Sequence, residues 1–236
     1  MAKKHFKILG VRIDNLSKLE ILKTIEKFLK EPRFHQVATI NPEFILEAQK
    51  NKKVKNILNN CDLNIADGFG IKLAFWRFGK NLECRFPGTD LMTEILKIAH
   101  QNNYSIFLAT NKNGLSYWRK TRDAILKNYP NLRIKGANLN KKNTNYKLQI
   151  TNYDILFCNF GAPHQEKFIN SLKNGNIKLA MGVGGSFDFL TKKIQRAPEF
   201  VQFLGLEWFW RLILQPKRFK RIFNAIVVFL WKVMLS

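Results

Sequence analysis

The sequence predicts an α/β chain: a Rossmann-like, mostly parallel sheet flanked by helices over residues 1–195, then a helical, membrane-associating appendage over residues 196–236. Three observations carry this. Short apolar, β-branched or aromatic runs alternate with segments of helical periodicity almost from end to end, the pattern of repeated strand–helix–strand units. With 236 residues, 46% hydrophobic and 24% charged, the chain is long enough for a full core and has a globular rather than a disordered or fibrous composition. After Arg196-Ala-Pro the composition shifts: Phe200, Phe203, Leu204, Leu206, Trp208, Phe209, Trp210 and Leu212 crowd together, and no acidic residue follows Glu207.

The elements follow in order. Strands are expected near 6–13, 35–40, 61–66, 104–110, 131–136, 154–160 and 177–183. Between them, Leu16 to Lys30 places apolar residues at 19, 22, 25, 28 and 29, one face of a 3.6-residue period. Phe44–Gln49, Thr89–His100, Gly114–Asn128 and Gln165–Lys173 behave similarly. Pro42 and Pro130 mark boundaries, because the residue before proline avoids the helical region. Asn138 to Asn145, polar and aperiodic, reads as a surface loop. In the appendage Phe219, Ile222, Phe223, Ile226, Val227 and Leu230 form one helical stripe, flanked by Lys217, Arg218, Lys220, Arg221 and Lys232. Apolar and cationic sides together suit an anionic membrane interface; the competing reading packs the stripe on the sheet. The nearly uncharged run Ile222–Trp231 is half of the ~20 residues a membrane span needs.

Charge and cysteine content narrow the function classes. The formal charge of +23 divides into +18 over residues 1–195 and +5 over 196–236, so no single tail carries it. A polyanionic partner is implied: nucleic acid, a phosphate-rich substrate or an anionic membrane. AT-rich coding is the competing explanation, since 29 Lys and 24 Asn stand against 11 Arg. Cys61, Cys84 and Cys158 neither pair nor form CxxC, and no signal-peptide core follows Met1, so a reducing, cytoplasmic location is expected.

In open α/β sheets ligands bind beyond the carboxyl ends of the strands. Four such exits carry unusual polar residues: Thr39-Ile-Asn-Pro-Glu43, Ala66-Asp-Gly-Phe-Gly70, Phe160-Gly-Ala-Pro-His-Gln-Glu166 and Gly182-Val-Gly-Gly-Ser-Phe-Asp188. HExxH, GxSxG, zinc-ligand spacing and Asp-x-Asp are all missing. A diphosphate ligand would therefore be balanced by arginines, whose planar guanidinium groups bind it in bidentate fashion.

These strings, with Arg85-Phe-Pro-Gly-Thr-Asp-Leu91, Arg196-Ala-Pro198, Leu206-Glu-Trp-Phe-Trp-Arg-Leu212 and Gln215-Pro-Lys-Arg218, occur in an order that resembles the WecG/TagA/CpsF family of bacterial glycosyltransferases. The resemblance runs from about residue 39 to 221. It implies inverting, metal-independent transfer of a sugar, with N-acetylmannosamine or its uronic acid favoured, from a UDP-sugar to a polyprenyl-diphosphate-linked saccharide. The place would be the inner face of the cell membrane, and no cofactor is implied. It makes Asp67 the catalytic base and puts Thr39, Asn41, Arg85 and Gln165 in the pocket. Arg211, Arg218 and Arg221 would close over the donor diphosphate. Gly184 and Gly185 allow close backbone approach.

Residue chemistry agrees with these roles and also offers plainer ones. Inverting transfer needs a base for the acceptor hydroxyl and stabilisation of departing UDP. Asp67 also suits a turn, Gln165 and Asn41 suit helix caps, Thr39 a sheet edge, Arg85 a surface ion pair, and Asp188 the turn after Gly185. Lys192-Lys193 departs from the small residue common in the family after Phe189-Leu190. Two other functions compete: nucleic-acid binding through Arg119, Lys120 and Arg122, and a nucleotide-sugar enzyme without transfer activity. The first lacks a recognisable module, so no nucleic-acid partner is expected; the second lacks a dinucleotide fingerprint. A homo-oligomer is compatible with the sequence.

Overall fold

In the computed structural model the described residues are 5–140, 150, 152–173, 175–203, 206–214, 216, 219 and 223–236. The chain begins with a hairpin of β1 (His5–Ile8) and β2 (Val11–Asp14), antiparallel with Ile8 opposite Val11. One strand was expected over 6–13. Leu9 and Gly10 break it by turning through positive φ, 46° and 75°, and only a folded-back chain buries Ile8, Val11 and Ile13 together.

Among the described residues the main sheet has six parallel strands: β3 (His35–Ile40), β4 (Leu63–Ala66), β5 (Ile106–Asn111), β6 (Ile134–Leu139), β7 (Ile155–Cys158) and β8 (Leu179–Gly182), in the spatial order β4-β3-β8-β7-β5-β6. The Rossmann-like expectation holds. β6 runs to Leu139, so the polar stretch expected as a loop starts inside a strand; residues 141–145 of it lie outside the described residues.

Both sheet faces are covered, as parallel sheets require. One face packs Val37, Ile65 and Leu108 under α1 (Lys18–Lys30) and, after the helices that follow β3 and β4, α5 (Gly88–Gln101). α1 starts in a capping box, in which Glu20 N–H donates to Ser17 Oγ at 3.3 Å and Ser17 N–H to Glu20 at 2.8 Å. The other face packs Ala38 and Ile40 under α2 (Pro42–Lys50), α3 (Lys52–Asn59) and α4 (Phe69–Arg77). The sequence reading missed α3 and α4. Lys and Asn dilute the apolar signal of α3, although Asn51 caps it and Val54, Ile57 and Leu58 are buried. Gly68 and Gly70 mask the start of α4. Between β5 and β6, α6 is shorter than expected, at Trp118–Leu126. α7 (His164–Asn170) and α8 (Ser186–Leu190) follow β7 and β8.

The C-terminal segment contains α9 (Glu199–Phe203), α10 (Glu207–Leu214), a π-helical turn (Asn224–Val228) and α11 (Phe229–Met234). The expected stripe shifts phase at the π turn, where one extra residue enters the helix. Phe229 and Val233 become the buried residues, packed with the α2–α4 cluster. Phe219, Phe223, Val227, Trp231 and Met234 stay exposed. No helix among the described residues is long and apolar enough to cross a membrane.

Candidate active site

A cleft of about 250 Å³ opens at the carboxyl ends of β3, β4, β7 and β8. β3 and β8 are adjacent in the sheet although first and last in its chain order, so their exit loops face each other across this cleft. Thr39, Asn41, Asp67, Gln165, Gly184 and Gly185 all line it. Thus six of the expected residues, separated by up to 146 positions in the chain, are brought together by one sheet edge.

Each is positioned by its element. Thr39 is the penultimate residue of β3, and its Oγ1 lies where a Cβ on Gly88 would come within 3.1 Å, so glycine there lets α5 approach the strand. Asn41 caps α2 by accepting the Phe44 N–H at 3.2 Å, and it also lines the cleft. Asp67 leaves β4 with its N–H donated to Ile40 O at 2.8 Å. Gly68, at φ 88° and ψ 150°, then turns the chain into α4 through a conformation reserved for glycine. Gln165 is a clamp rather than a helix cap: its Oε1 accepts from Gly161 N–H at 3.0 Å and Gly184 N–H at 3.1 Å, tying the β7 and β8 exits together.

Beneath the clamp lies Glu166, a residue to which the sequence reading gave no role. Burial pushes its carboxyl up to about 8, against the lowering effect of the Gln165 hydrogen bond. Its Oε2 is buried without a hydrogen-bond partner among the described residues. A side chain at Gly182 would collide with the Gln165 amide and stand 2.7 Å from Glu166 Oε1, so the glycine makes room for both.

Helix starts shape the electrostatics. The amino ends of α2, α4 and α5 all contribute to the lining through Pro42–Glu43, Phe69–Gly70 and Gly88–Thr89. Neither α4 nor α5 has a side-chain cap. Each such end carries roughly half a positive charge and unsatisfied N–H groups, so these ends offer donors to an anionic ligand.

Other expected residues are placed differently. Arg85 lies outside the lining: its Nη2 donates to Gln202 O at 2.9 Å and its Nη1 stands 3.5 Å from Glu207. Arg211 falls within α10, but its side chain lies outside the described residues, as do Arg218 and Arg221 altogether. Asp188 accepts a hydrogen bond from Ser116 at 2.6 Å, in keeping with its plainer reading as a structural residue. Among lining residues the sequence missed are Thr89 and Ser186, whose hydroxyls meet at 2.9 Å, and the carboxylates Glu43 and Glu207. Asp67 is therefore not the only acid in the cleft. Glu43 sits in the same strand-exit string as Asn41, and that adjacency was the available signal.

A family model described as "Glycosyl transferase WecG/TagA/CpsF family" matches residues 6–236. Similar proteins include an N-acetylglucosaminyldiphosphoundecaprenol N-acetyl-beta-D-mannosaminyltransferase of Staphylococcus aureus strain MRSA252, 31% identical over 96% of this chain and 91% of the relative. Proteins of the same name from strains NCTC 8325 / PS 47 and COL are 30% identical with the same coverage.

Proposed function

The chain belongs to the WecG/TagA/CpsF family and is a glycosyltransferase, and from that premise we propose that it moves N-acetylmannosamine, or its uronic acid, from a UDP-sugar to a polyprenyl-diphosphate-linked saccharide. Transfer inverts the anomeric centre, needs no divalent metal, and takes place where the protein meets the cytoplasmic face of the membrane. The observation that carries this reading is the cleft itself, in which Asp67 at the exit of β4 lines the same space as three helix amino ends.

The chemistry follows from that arrangement. The Asp67 carboxylate takes the proton of the acceptor hydroxyl as its oxygen attacks the anomeric carbon from the face opposite the diphosphate. The new C–O bond forms as the bond to the β-phosphate breaks, and UDP departs with that electron pair. Helix amino ends and guanidinium groups stabilise the charge that grows on the leaving diphosphate. The sequence has no Asp-x-Asp pair, which supports cations of the protein itself in this role. The names of the relatives specify a GlcNAc-diphosphoundecaprenol acceptor, and the same acceptor class is proposed here.

Membrane contact is assigned to the C-terminal segment. Phe219, Phe223, Val227, Trp231, Met234 and Leu235 are all exposed apolar residues. Singly such residues are ordinary, but a stripe of them on a basic protein fits an anionic bilayer surface.

One assay tests the whole reading. The protein is incubated with a panel of UDP-sugars and a short-chain lipid-diphosphate GlcNAc acceptor in phosphatidylglycerol vesicles, with and without chelator. The expected result is an acceptor heavier by one N-acetylhexosamine or its uronic acid, undiminished by chelator, with the protein sedimenting with the vesicles. No mass gain with any donor refutes the donor class; loss on chelation refutes metal independence; protein left in the supernatant refutes the membrane role.

A further inference from the structure

The Glu207 carboxylate stands between two guanidinium groups. Its Oε2 is 3.5 Å from Arg85 Nη1 and its Oε1 is 3.9 Å from Arg196 Nε. Both contacts are loose, since charge-assisted hydrogen bonds close to about 2.7–2.9 Å. Arg196 shows what a closed contact looks like, with Nη1 2.6 Å from Asp90 Oδ1. Its Nε and Nη2 are buried, and among the described residues neither has a hydrogen-bond acceptor. Burial opposes its charge, yet Asp90, Glu207 and Asp67 together hold this guanidinium more firmly protonated than usual.

Buried donors without acceptors are costly, and a Glu207 oxygen 3.9 Å from Arg196 Nε satisfies them poorly. An anion with more oxygens and more charge satisfies them better. Glu207 lines the cleft while Arg85 and Arg196 stand behind it, so a ligand in the cleft reaches both cations by taking the place of this carboxylate.

We propose that Arg85 and Arg196 form the diphosphate subsite of the cleft, and that Glu207 is a resident anion which the donor's diphosphate displaces. The identity of that diphosphate rests on the nucleotide-sugar reading above. Arg196 supplies Nε and Nη2 to phosphate oxygens while Nη1 remains on Asp90, and Arg85 supplies Nη1 while Nη2 remains on Gln202 O. Displacement also frees α10, which Glu207 begins, from its ionic ties to Arg85 and Arg196. Donor binding and the placement of the C-terminal segment are thereby coupled.

Calorimetric titration of the full chain with inorganic pyrophosphate, UDP and uridine tests the subsite. Glu207→Gln removes the resident charge and is expected to tighten pyrophosphate and UDP binding about threefold or more, the scale of one exposed ion pair. Arg196→Met is expected to weaken both about tenfold or more and to leave uridine unchanged. Pyrophosphate that fails to bind, binds Glu207→Gln no more tightly than the unaltered chain, or binds Arg196→Met equally well overturns the proposal. A gain in affinity cannot come from a folding defect, so the Glu207→Gln arm decides alone if Arg196→Met does not fold. Should pyrophosphate follow the expected pattern while UDP binds no better than pyrophosphate, the subsite stands and the nucleotide reading falls.

Discussion

Asp67→Asn is expected to lower the turnover number by about 10²- to 10⁴-fold, the range that a positioned general base contributes, while leaving UDP affinity and thermal stability close to those of the unaltered chain. Asparagine keeps the shape of the side chain and its place after β4 but cannot accept the proton of the acceptor hydroxyl. The Asp67 backbone N–H, donated to Ile40 O, and the turn at Gly68 are untouched by the change. Turnover measured beside calorimetric UDP binding separates loss of the chemical step from loss of the site. Near-unaltered turnover would instead move the base to Glu43 or Glu207, the other carboxylates of the described lining.

Glu166→Gln is expected to stabilise the protein at alkaline pH and to flatten its pH dependence. Burial raises this carboxyl from its ordinary 4.5 to about 8. Between those values the folded chain keeps a proton that the unfolded chain has released, so the free energy of unfolding falls as pH rises. The slope from this one group is about 1.4 kcal/mol per pH unit, amounting to several kcal/mol across the window. The contribution is fully present below pH 4.5 and lost as pH passes about 8. Glutamine mimics the neutral carboxyl without the ionisation, so the variant should melt about 5–10 °C higher than the unaltered chain at pH 8.5. At pH 5 the two should melt within a few degrees of each other. Melting curves from pH 5 to 9 check this, and parallel profiles for the two proteins would show that Glu166 does not hold its proton.

Much of the sheet was legible because each parallel strand is a short apolar run buried on both faces, and that pattern survives in sequence. The Leu9-Gly10 reversal was not, since two residues of positive φ leave no trace in hydrophobic periodicity. α3 was hidden by lysine and asparagine, and α11 by a π turn that shifts the helical phase, so Phe229 and Val233 take the buried positions while Leu230 of the expected stripe packs only partly buried against the core. At the site, the rule that ligands gather at strand exits pointed to the four strings that hold Thr39, Asn41, Asp67, Gln165, Gly184 and Gly185, and the choice of Thr39, Asn41, Asp67 and Gln165 within them rested on the family resemblance. It did not find Glu207 between Arg85 and Arg196. The Arg85–Glu207 pair spans 122 positions, and no local spacing encodes a partner that far away. Chain direction likewise could not show that Glu166, next to Gln165, turns beneath the cleft floor at Gly182.

Hydrogen–deuterium exchange with and without UDP tests most directly whether the strand-exit cleft is the donor site. Protection is predicted in four stretches distant in sequence, 39–44, 67–73, 161–165 and 182–188, with the Arg119–Arg133 region unchanged. Protection confined to that basic region, or none in the four stretches while UDP is demonstrably bound, would contradict the assignment of the cleft.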